Sequence, residues 1–146
     1  MKRSIVILVL MFLCFGLNAM AAKDEPDCFL KTKDKVYFGN DIKIGLANTR
    51  IFLSDGTVAV VKTHDITNYR HHDKMYMLLP VICDNNDTLC MAMMRYITSR
   101  AGLNIFQYCC PQDDDVFFEY KEGKFYRRLD ADLAKTELAS MGFKVE

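Results

Sequence analysis

The amino-acid sequence predicts an α+β fold in which an antiparallel sheet built from hairpins carries one or two short helices. Two glycine-containing turns, at residues 55–56 and 122–123, separate runs of β-branched and aromatic residues, which is the pattern of β-hairpins. A capping aspartate, Asp130, precedes an apolar-periodic segment that predicts a C-terminal helix. A mostly β meander is the alternative fold, and residues 88–101 decide between the two.

The first 22 residues have the pattern of a signal peptide. A basic start at residues 1–3 precedes an apolar run at residues 5–15, and small residues at positions 19 and 21 form a cleavage pattern. A membrane anchor would need about 20 apolar residues, and lipidation at Cys14 would need small residues before it rather than the bulky ones present. We therefore predict a cleaved signal peptide over residues 1–22, with export to the periplasm or the extracellular space.

The remaining chain has the size of one domain and a slightly acidic balance. Removing residues 1–22 from the 146 leaves 124, enough to bury a substantial core. We predict a mobile lead-in at residues 23–35 and a single α+β domain at residues 36–146. Loss of Lys2 and Arg3 turns equal totals of 19 basic and 19 acidic residues into a formal charge of −2. That balance offers no basic face to nucleic acid, and we predict no stable membrane span after cleavage.

The N-terminal part of the domain predicts strands and a tight hairpin. Residues 41–46 alternate polar and apolar side chains, as a half-buried strand does. Residues 50–62 predict a hairpin, because Asp-Gly suits the positive φ angles of a two-residue type I′ turn. Such a turn would place Leu53 opposite Val58 on one apolar face.

The central part of the domain is ambiguous. Residues 75–83 form a second apolar run with a proline in it, which indicates an edge strand or a bend. Residues 88–101 follow a helical stripe that Asp87 could cap and a glycine could end, and this favours a helix. A strand over residues 89–97 is the open alternative.

The C-terminal part predicts a strand, a hairpin and a helix in that order. Residues 103–110 predict the strand, and residues 116–129 predict a hairpin around Glu-Gly with Tyr120 opposite Phe125. The capping aspartate then begins a short helix over residues 131–141, which a glycine ends.

Four segments carry a likeness to a known group of proteins. Residues 53–56, 65–69, 102–108 and 118–124 together resemble small exported proteins of Bacteroidetes-type bacteria, which are rich in β-hairpins. The resemblance implies residence in the cell envelope and no particular activity. It also implies a strand rather than a helix at residues 89–97.

Predicted export implies that the cysteines can form disulfides. Five cysteines remain after cleavage: Cys28, Cys83, Cys90, Cys109 and Cys110. In an oxidising compartment they would form up to two disulfides and leave one thiol. Cys83 and Cys90 bracket a turn of Asp and Asn residues, so their Cα atoms could approach to the roughly 6 Å that a disulfide needs. We therefore predict a disulfide-stabilised domain whose pairing the sequence leaves open.

A histidine-rich loop provides the candidate metal ligands. Three histidines and two aspartates fall within residues 64–73, and zinc or copper accepts such side chains. The candidate ligands are His64, His71, His72 and Asp73. Because adjacent histidines seldom point at one ion, a solvated loop between strands is the favoured interpretation.

Cys90 is the candidate nucleophile of a cysteine-dependent enzyme. If residues 88–101 are a helix, Cys90 lies in its first turn, where a helix N-terminus activates a thiol. A histidine of the 64–72 loop could then act as the base. The residues around Cys90 carry no cysteine-peptidase signature, so a structural half-cystine paired with Cys83 is the favoured interpretation.

These patterns favour an exported, non-enzymatic binding module of the bacterial envelope, stabilised by disulfides. Its partner would be an unknown protein or envelope component. No cofactor motif is present, and we predict no cofactor. The two alternatives are a cysteine-dependent enzyme that uses Cys90 with a loop histidine, and a metal-binding protein that uses the loop from His64 to His72.

Overall fold

A computed structural model describes residues 26–109 and 116–143 of the chain. Within these residues it contains ten strands, one α-helix and a short 3₁₀ turn, Thr63–Asp65. The elements are β1 (Cys28–Thr32), β2 (Val36–Lys43), β3 (Asn48–Leu53), β4 (Val58–Lys62), β5 (Ile66–His71), β6 (Lys74–Ile82), β7 (Thr88–Arg100), β8 (Leu103–Tyr108), β9 (Val116–Lys121), β10 (Lys124–Leu129) and α1 (Ala131–Ser140). The predicted signal peptide, Cys14 and Cys110 lie outside the described residues.

The fold is closer to the mostly β meander than to the α+β arrangement. All ten strands form one antiparallel sheet in the order β10-β9-β8-β7-β6-β5-β1-β2-β3-β4. The chain therefore runs as two meanders, β1 to β4 and β5 to β10. The pairing of β1 with β5 joins the two meanders, so the strand that begins at Cys28 lies in the middle of the sheet. This strand falls within the segment predicted as a lead-in.

The predicted helix over residues 88–101 is wrong. The segment is β7, a strand of 13 residues that pairs with β6 on one side and with β8 on the other. Methionine and alanine favour helices in isolation, but two flanking ladders give this segment a backbone partner on each side, and strand preference depends on such neighbours. The strand implied by the resemblance agrees with the structure.

The connection between the two meanders forces the sheet to curl. Four strand spacings separate β4 from β5, which is about 19 Å in a flat sheet. The chain from Lys62 to Ile66 spans four Cα steps, which reach at most about 14 Å. The first meander must therefore bend until β4 approaches β5. Thr63 fixes the connection by donating its hydroxyl to the Gly45 carbonyl at 2.7 Å.

The two main cores lie on opposite faces of the sheet. The first core comprises Cys28, Leu30, Ile42, Ile51, Val61 and Ile66. The second core comprises Val81, Ile82, Met94, Phe106, Phe118 and Tyr120. Met93 packs against the first core, whereas its neighbour Met94 belongs to the second. Since successive residues of a strand point to opposite faces, β7 separates the two cores.

Helix α1 covers a third cluster at the C-terminal end of the sheet. It packs Ala134 and Leu138 against Ile105, Phe117 and Leu129. Asp130 caps it, as predicted, by accepting a hydrogen bond from the Leu133 amide at 2.7 Å. No helix of the described residues is long and apolar enough to cross a membrane.

A buried carboxylate also connects the helix to the sheet. Glu119 on β9 is only 1% exposed, and the guanidinium of Arg127 on β10 binds it. Arg127 also donates to Glu137 on α1 at 3.0 Å. The paired carboxylates raise the pKa of Arg127 above its ordinary value, Glu119 having the larger effect. This group fixes the last hairpin and the helix together.

Turn chemistry decides the registers of the hairpins. The second predicted hairpin is confirmed, with Phe125 paired to Tyr120. The register predicted for the first hairpin is wrong by one residue, since Phe52 rather than Leu53 faces Val58. Only Gly56 has a positive φ in that turn, and Asp55 accepts hydrogen bonds from the Thr57 amide and hydroxyl. A three-residue loop with a left-handed last residue results.

The predicted disulfides are absent among the described cysteines. No two of Cys28, Cys83, Cys90 and Cys109 are joined, and they do not lie near one another. Cys90 pairs with Val81 across the β6–β7 ladder, whereas Cys83 lies in the turn, where its amide bonds to the Asp87 carbonyl. The strand ladder continues past Cys90 to Thr88, which keeps the two thiols apart. The stability of the described fold therefore comes from its cores and ladders.

Tyr120 closes the second core by a hydrogen bond that reaches across the sheet. Its hydroxyl donates to the Pro80 carbonyl on β6 at 2.6 Å, and burial raises the pKa of Tyr120 to about 12. Pro80 lies beyond the last residue of β6 that pairs with β5, so one side of the strand has no ladder there, as the sequence indicated. The bond joins strands that three sheet positions separate.

We expect Tyr120→Phe to lower the free energy of unfolding by about 1 kcal/mol, because it removes this hydrogen bond and keeps the ring. Tyr126→Phe is the control, since Tyr126 is 56% exposed, and it should change stability by less than about 0.5 kcal/mol. Urea unfolding followed by far-UV circular dichroism measures both variants. Equal stabilities for the two would contradict the closing role of Tyr120.

Candidate metal centre

Cys28, His71 and His72 come together where the two meanders meet. Cys28 is the first residue of β1, His71 is the last residue of β5, and the two are directly paired across the ladder. His72 follows in the turn to β6. One ligand atom from each of the three side chains lies within 4.8 Å of the other two. A thiol and two imidazoles thus share one small volume.

The cross-strand pairing explains the approach of Cys28 and His71. Directly opposed residues of an antiparallel pair place their side chains on the same face. On that face Cys28 is completely buried and belongs to the first core with Leu30 and Ile42. His71 lies at the rim and is partly exposed. The Cys28 sulfur therefore lies on the core side of the group, and the two imidazoles lie on its solvent side.

The turn conformation brings His72 to the same place. Regular strand alternation would point His72 away from His71. His72 instead has a φ of 54°, in the left-handed region that histidine enters more readily than most residues. Its ring then lies beside that of His71, with ring centroids 4.4 Å apart. The turn thereby unites two adjacent histidines in one group.

Asp41 orients His71 from β2, which lies on the other side of β1. Its Oδ1 lies 2.9 Å from Nε2 of His71 and also accepts the Ile42 amide at 2.8 Å. The His71 hydrogen bond is the main cause that holds the pKa of Asp41 below its ordinary value of 3.8, with help from the Ile42 amide and nearby Lys43. Ionised Asp41 can only accept a hydrogen bond. His71 then donates from Nε2, and its Nδ1 has the lone pair that a metal needs.

A bulge in β2 gives Asp41 this position. The register between β2 and β3 shifts between Gly39 and Asp41, so Ile42 rather than Asp41 takes the next buried position. Gly39 allows the close approach of β3, because a Cβ there would lie 2.2 Å from the Phe52 carbonyl oxygen. The bulge moves the carboxylate out of the core to the rim beside His71.

The donor atoms are close to the spacing of a metal site. Zinc takes nitrogen at about 2.0–2.1 Å and sulfur at about 2.3 Å, so tetrahedral geometry separates its ligand atoms by about 3.3–3.6 Å. The separations here are no more than 4.8 Å, so the donor atoms need to approach one another by at most about 1.5 Å. His72 is exposed and free to make that adjustment by side-chain rotation.

The other predicted ligands lie elsewhere. His64 sits in the 3₁₀ turn with its Nε2 3.2 Å from Asp65, and the side chains of both residues are more than half exposed. Asp73 follows His72 in the same turn and is exposed, but it is not in the group of donors. Cys28 is not among the metal ligands predicted from the sequence. Its pairing with His71 depends on the register between β1 and β5, which are distant in the sequence.

Cys90 lies on a strand rather than at a helix N-terminus. It is exposed and pairs with Val81, whereas His71 pairs with Lys74 at the other end of β6. Seven residues of strand separate those positions, which is about 23 Å. The histidines of the β5–β6 turn are therefore out of reach as a base for Cys90.

A cleft lies at the open edge of the first meander. Its volume is about 480 Å³, and it separates edge strand β4 from the turn between β1 and β2. Three lysines line it, and the ammonium of Lys35 lies 4.8 Å from the ring centroid of Tyr37. The lining residues are Thr32, Lys33, Asp34, Lys35, Tyr37, Val60, Val61, Lys62 and Asp65.

We expect Asp41 to titrate below 3.8 in the folded protein, because its charged form accepts hydrogen bonds from His71 and Ile42. The stabilisation from this carboxylate is then complete above the unfolded value and is lost as the pH falls through the lowered pKa. Side-chain ¹³C NMR measures the titration. His71→Ala should raise the pKa of Asp41, and His64→Ala should leave it unchanged. An Asp41 that already titrates at 3.8 would contradict the geometry.

No protein-family model matches the sequence, and no curated protein or solved structure matches it. The likeness to exported proteins of Bacteroidetes-type bacteria therefore stays a prediction. The chemistry of the site rests on its own residues, and these form a group of one thiol, two imidazoles and an orienting carboxylate.

Proposed function

We propose that the protein binds a transition-metal ion through Cys28, His71 and His72, with Asp41 orienting His71. The observation that carries the proposal is the convergence of three donor atoms within 4.8 Å from two strands and a turn. Thiolate and imidazole are the ligands that zinc and copper take in proteins. The proposal keeps two histidines of the metal-binding alternative and replaces His64 and Asp73 with Cys28.

The position of the site gives the metal a structural consequence. Cys28 belongs to β1 and His71 to β5, and this pair of strands joins the two meanders. A metal bound to both residues adds a coordinate link across that junction. Because the three ligands converge only in the folded chain, binding favours the folded state by mass action.

We expect the reduced protein to bind one zinc ion and to unfold at a higher temperature when zinc is present. At a free zinc concentration of 100 times Kd, the added stability is about 2.7 kcal/mol. His72→Asn removes an exposed imidazole at a position whose positive φ asparagine tolerates, so it should lose binding without unfolding. Equilibrium dialysis with elemental analysis measures stoichiometry, and differential scanning calorimetry measures the shift.

His64→Asn is the matched control for this experiment, because His64 is an exposed histidine outside the group. It should bind zinc as the unchanged protein does. Equal binding by the His64 and His72 variants, or no binding by the unchanged protein, would overturn the proposal.

We also propose that the protein is exported and binds a component of the cell envelope. The basic and apolar start of the chain supports export. The cleft beside β4 supports binding, since its three lysines outnumber its two aspartates and suit an anionic group on the partner. The metal site lies where the two meanders meet, whereas the cleft lies at the edge of the first meander, so metal binding and this interaction are compatible.

Cell fractionation tests the second proposal. The protein should appear in the envelope or periplasmic fraction without residues 1–22, as N-terminal sequencing measures. Lys62→Glu should release it from the envelope fraction, because the substitution reverses a charge in the cleft. Lys124→Glu changes an exposed lysine on β10 and should have no such effect. A cytoplasmic protein that retains Met1 would contradict export, and an unchanged distribution of the Lys62 variant would contradict binding at the cleft.

A further inference from the structure

We infer that the metal of this site is copper, held by one thiolate and two imidazoles; the inference rests on the proposed metal-binding function. Four features carry it. They are the number and kind of ligands, the surroundings of the sulfur, the distance to other thiols and the solvent access through His72.

The ligand set matches copper more closely than structural zinc. Among the residues that the structure describes, the group comprises one sulfur and two imidazole nitrogens. Structural zinc is held by four protein ligands, whereas a trigonal set of two histidines and one cysteine is characteristic of copper centres. The nearby Asp41 carboxylate already accepts hydrogen bonds from His71 and Ile42. The carboxylate therefore orients the His71 imidazole and is not counted as a fourth metal ligand.

The surroundings of the sulfur favour a soft cation. Cys28 is completely buried beside Leu30, Ile42 and Ile51, so an uncompensated thiolate would be costly there. A bound copper ion neutralises the thiolate and forms a strong bond with it, since soft sulfur ligands select Cu(I). Cu(II) also exceeds the other divalent ions of the first transition row in affinity for nitrogen and sulfur donors.

Because Cys28 is isolated from other thiols, a copper–thiolate bond at this residue is protected from oxidation of the thiolate to a disulfide by Cu(II). Two thiolates can transfer one electron each to two Cu(II) ions, which yields one disulfide and two Cu(I) ions. That reaction needs a second thiol in contact with the first. No described cysteine lies near Cys28, and its complete burial excludes the thiol of another molecule. The thiolate can therefore stay bound to Cu(II).

The exposed histidine provides the entrance to the site. His72 lies in a solvent-facing turn, whereas the sulfur lies on the core side of the group. A copper ion can meet His72 first and then reach the sulfur by the small closing movement already described. Asp41 keeps His71 in place during that movement through its 2.9 Å hydrogen bond.

Titration of the reduced, full-length protein with Cu(II) under anaerobic conditions tests the inference. We expect one Cu(II) per chain and an intense visible absorption band from thiolate-to-copper charge transfer, with a matching electron paramagnetic resonance signal. Cu(II) should also displace zinc from the zinc-loaded protein at equal total concentrations. Cys28→Ser should abolish the band, and Cys90→Ser, which changes an exposed thiol on β7, should retain it in full.

Because Cys28 is buried and its variant could unfold, His72→Asn supplies a second test. It should stay folded by circular dichroism and lose the band. Zinc binding without the copper band would overturn the copper inference and leave the proposed function standing. Failure of both metals to bind would overturn both. A band retained in Cys28→Ser, or oxidation of Cys28 itself in place of a band, would overturn the assignment of Cys28 as the copper ligand.

Discussion

The ladder between β1 and β5 is the constraint on which the rest of the structure depends. It places the first strand of the described chain in the middle of the sheet and joins two meanders that are otherwise sequential. The same ladder sets Cys28 opposite His71. A shift of this register by one residue would point the thiol to the other face of the sheet, away from the imidazoles. The architecture and the candidate metal centre therefore share one origin.

That ladder is possible only because the first meander bends. The chain leaves β4 at one edge of the sheet and enters β5 after three residues, Thr63–Asp65. Bending brings Val61 and Ile66, on either side of this connection, into one core. It also leaves a cleft where β4 faces the turn between β1 and β2. One short connection thus accounts for a core and for a concave surface beside β4.

Local chemistry made part of this fold predictable. The Glu-Gly turn fixes the pairing of Tyr120 with Phe125, and Asp130 begins the C-terminal helix, because each depends on residues a few positions apart. The first hairpin was predicted with the wrong register, since the hydrogen bonds of Asp55 to Thr57 favour a three-residue loop over the two-residue turn. Turn residues indicate where a chain reverses more reliably than they indicate the register.

Features that depend on distant neighbours were not predictable in the same way. Residues 88–101 have a helical pattern of apolar side chains, and only the two adjacent ladders make them a strand. Cys28 looked like a half-cystine because the sequence gives no sign of its partner across β1 and β5. Two of the three site residues, His71 and His72, could be selected from the histidine-rich segment of the sequence. Cys28 could be assigned to the site only from the strand topology.

The placement of Met93 and Met94 has a consequence for how the domain comes apart. These neighbours on β7 pack into cores on opposite faces, so β7 contributes side chains to both cores. Removing β7 from either side would expose apolar surface on the other side as well. Detaching β7 then disrupts both cores together, and the two halves of the sheet should unfold as one cooperative unit rather than as two independent ones.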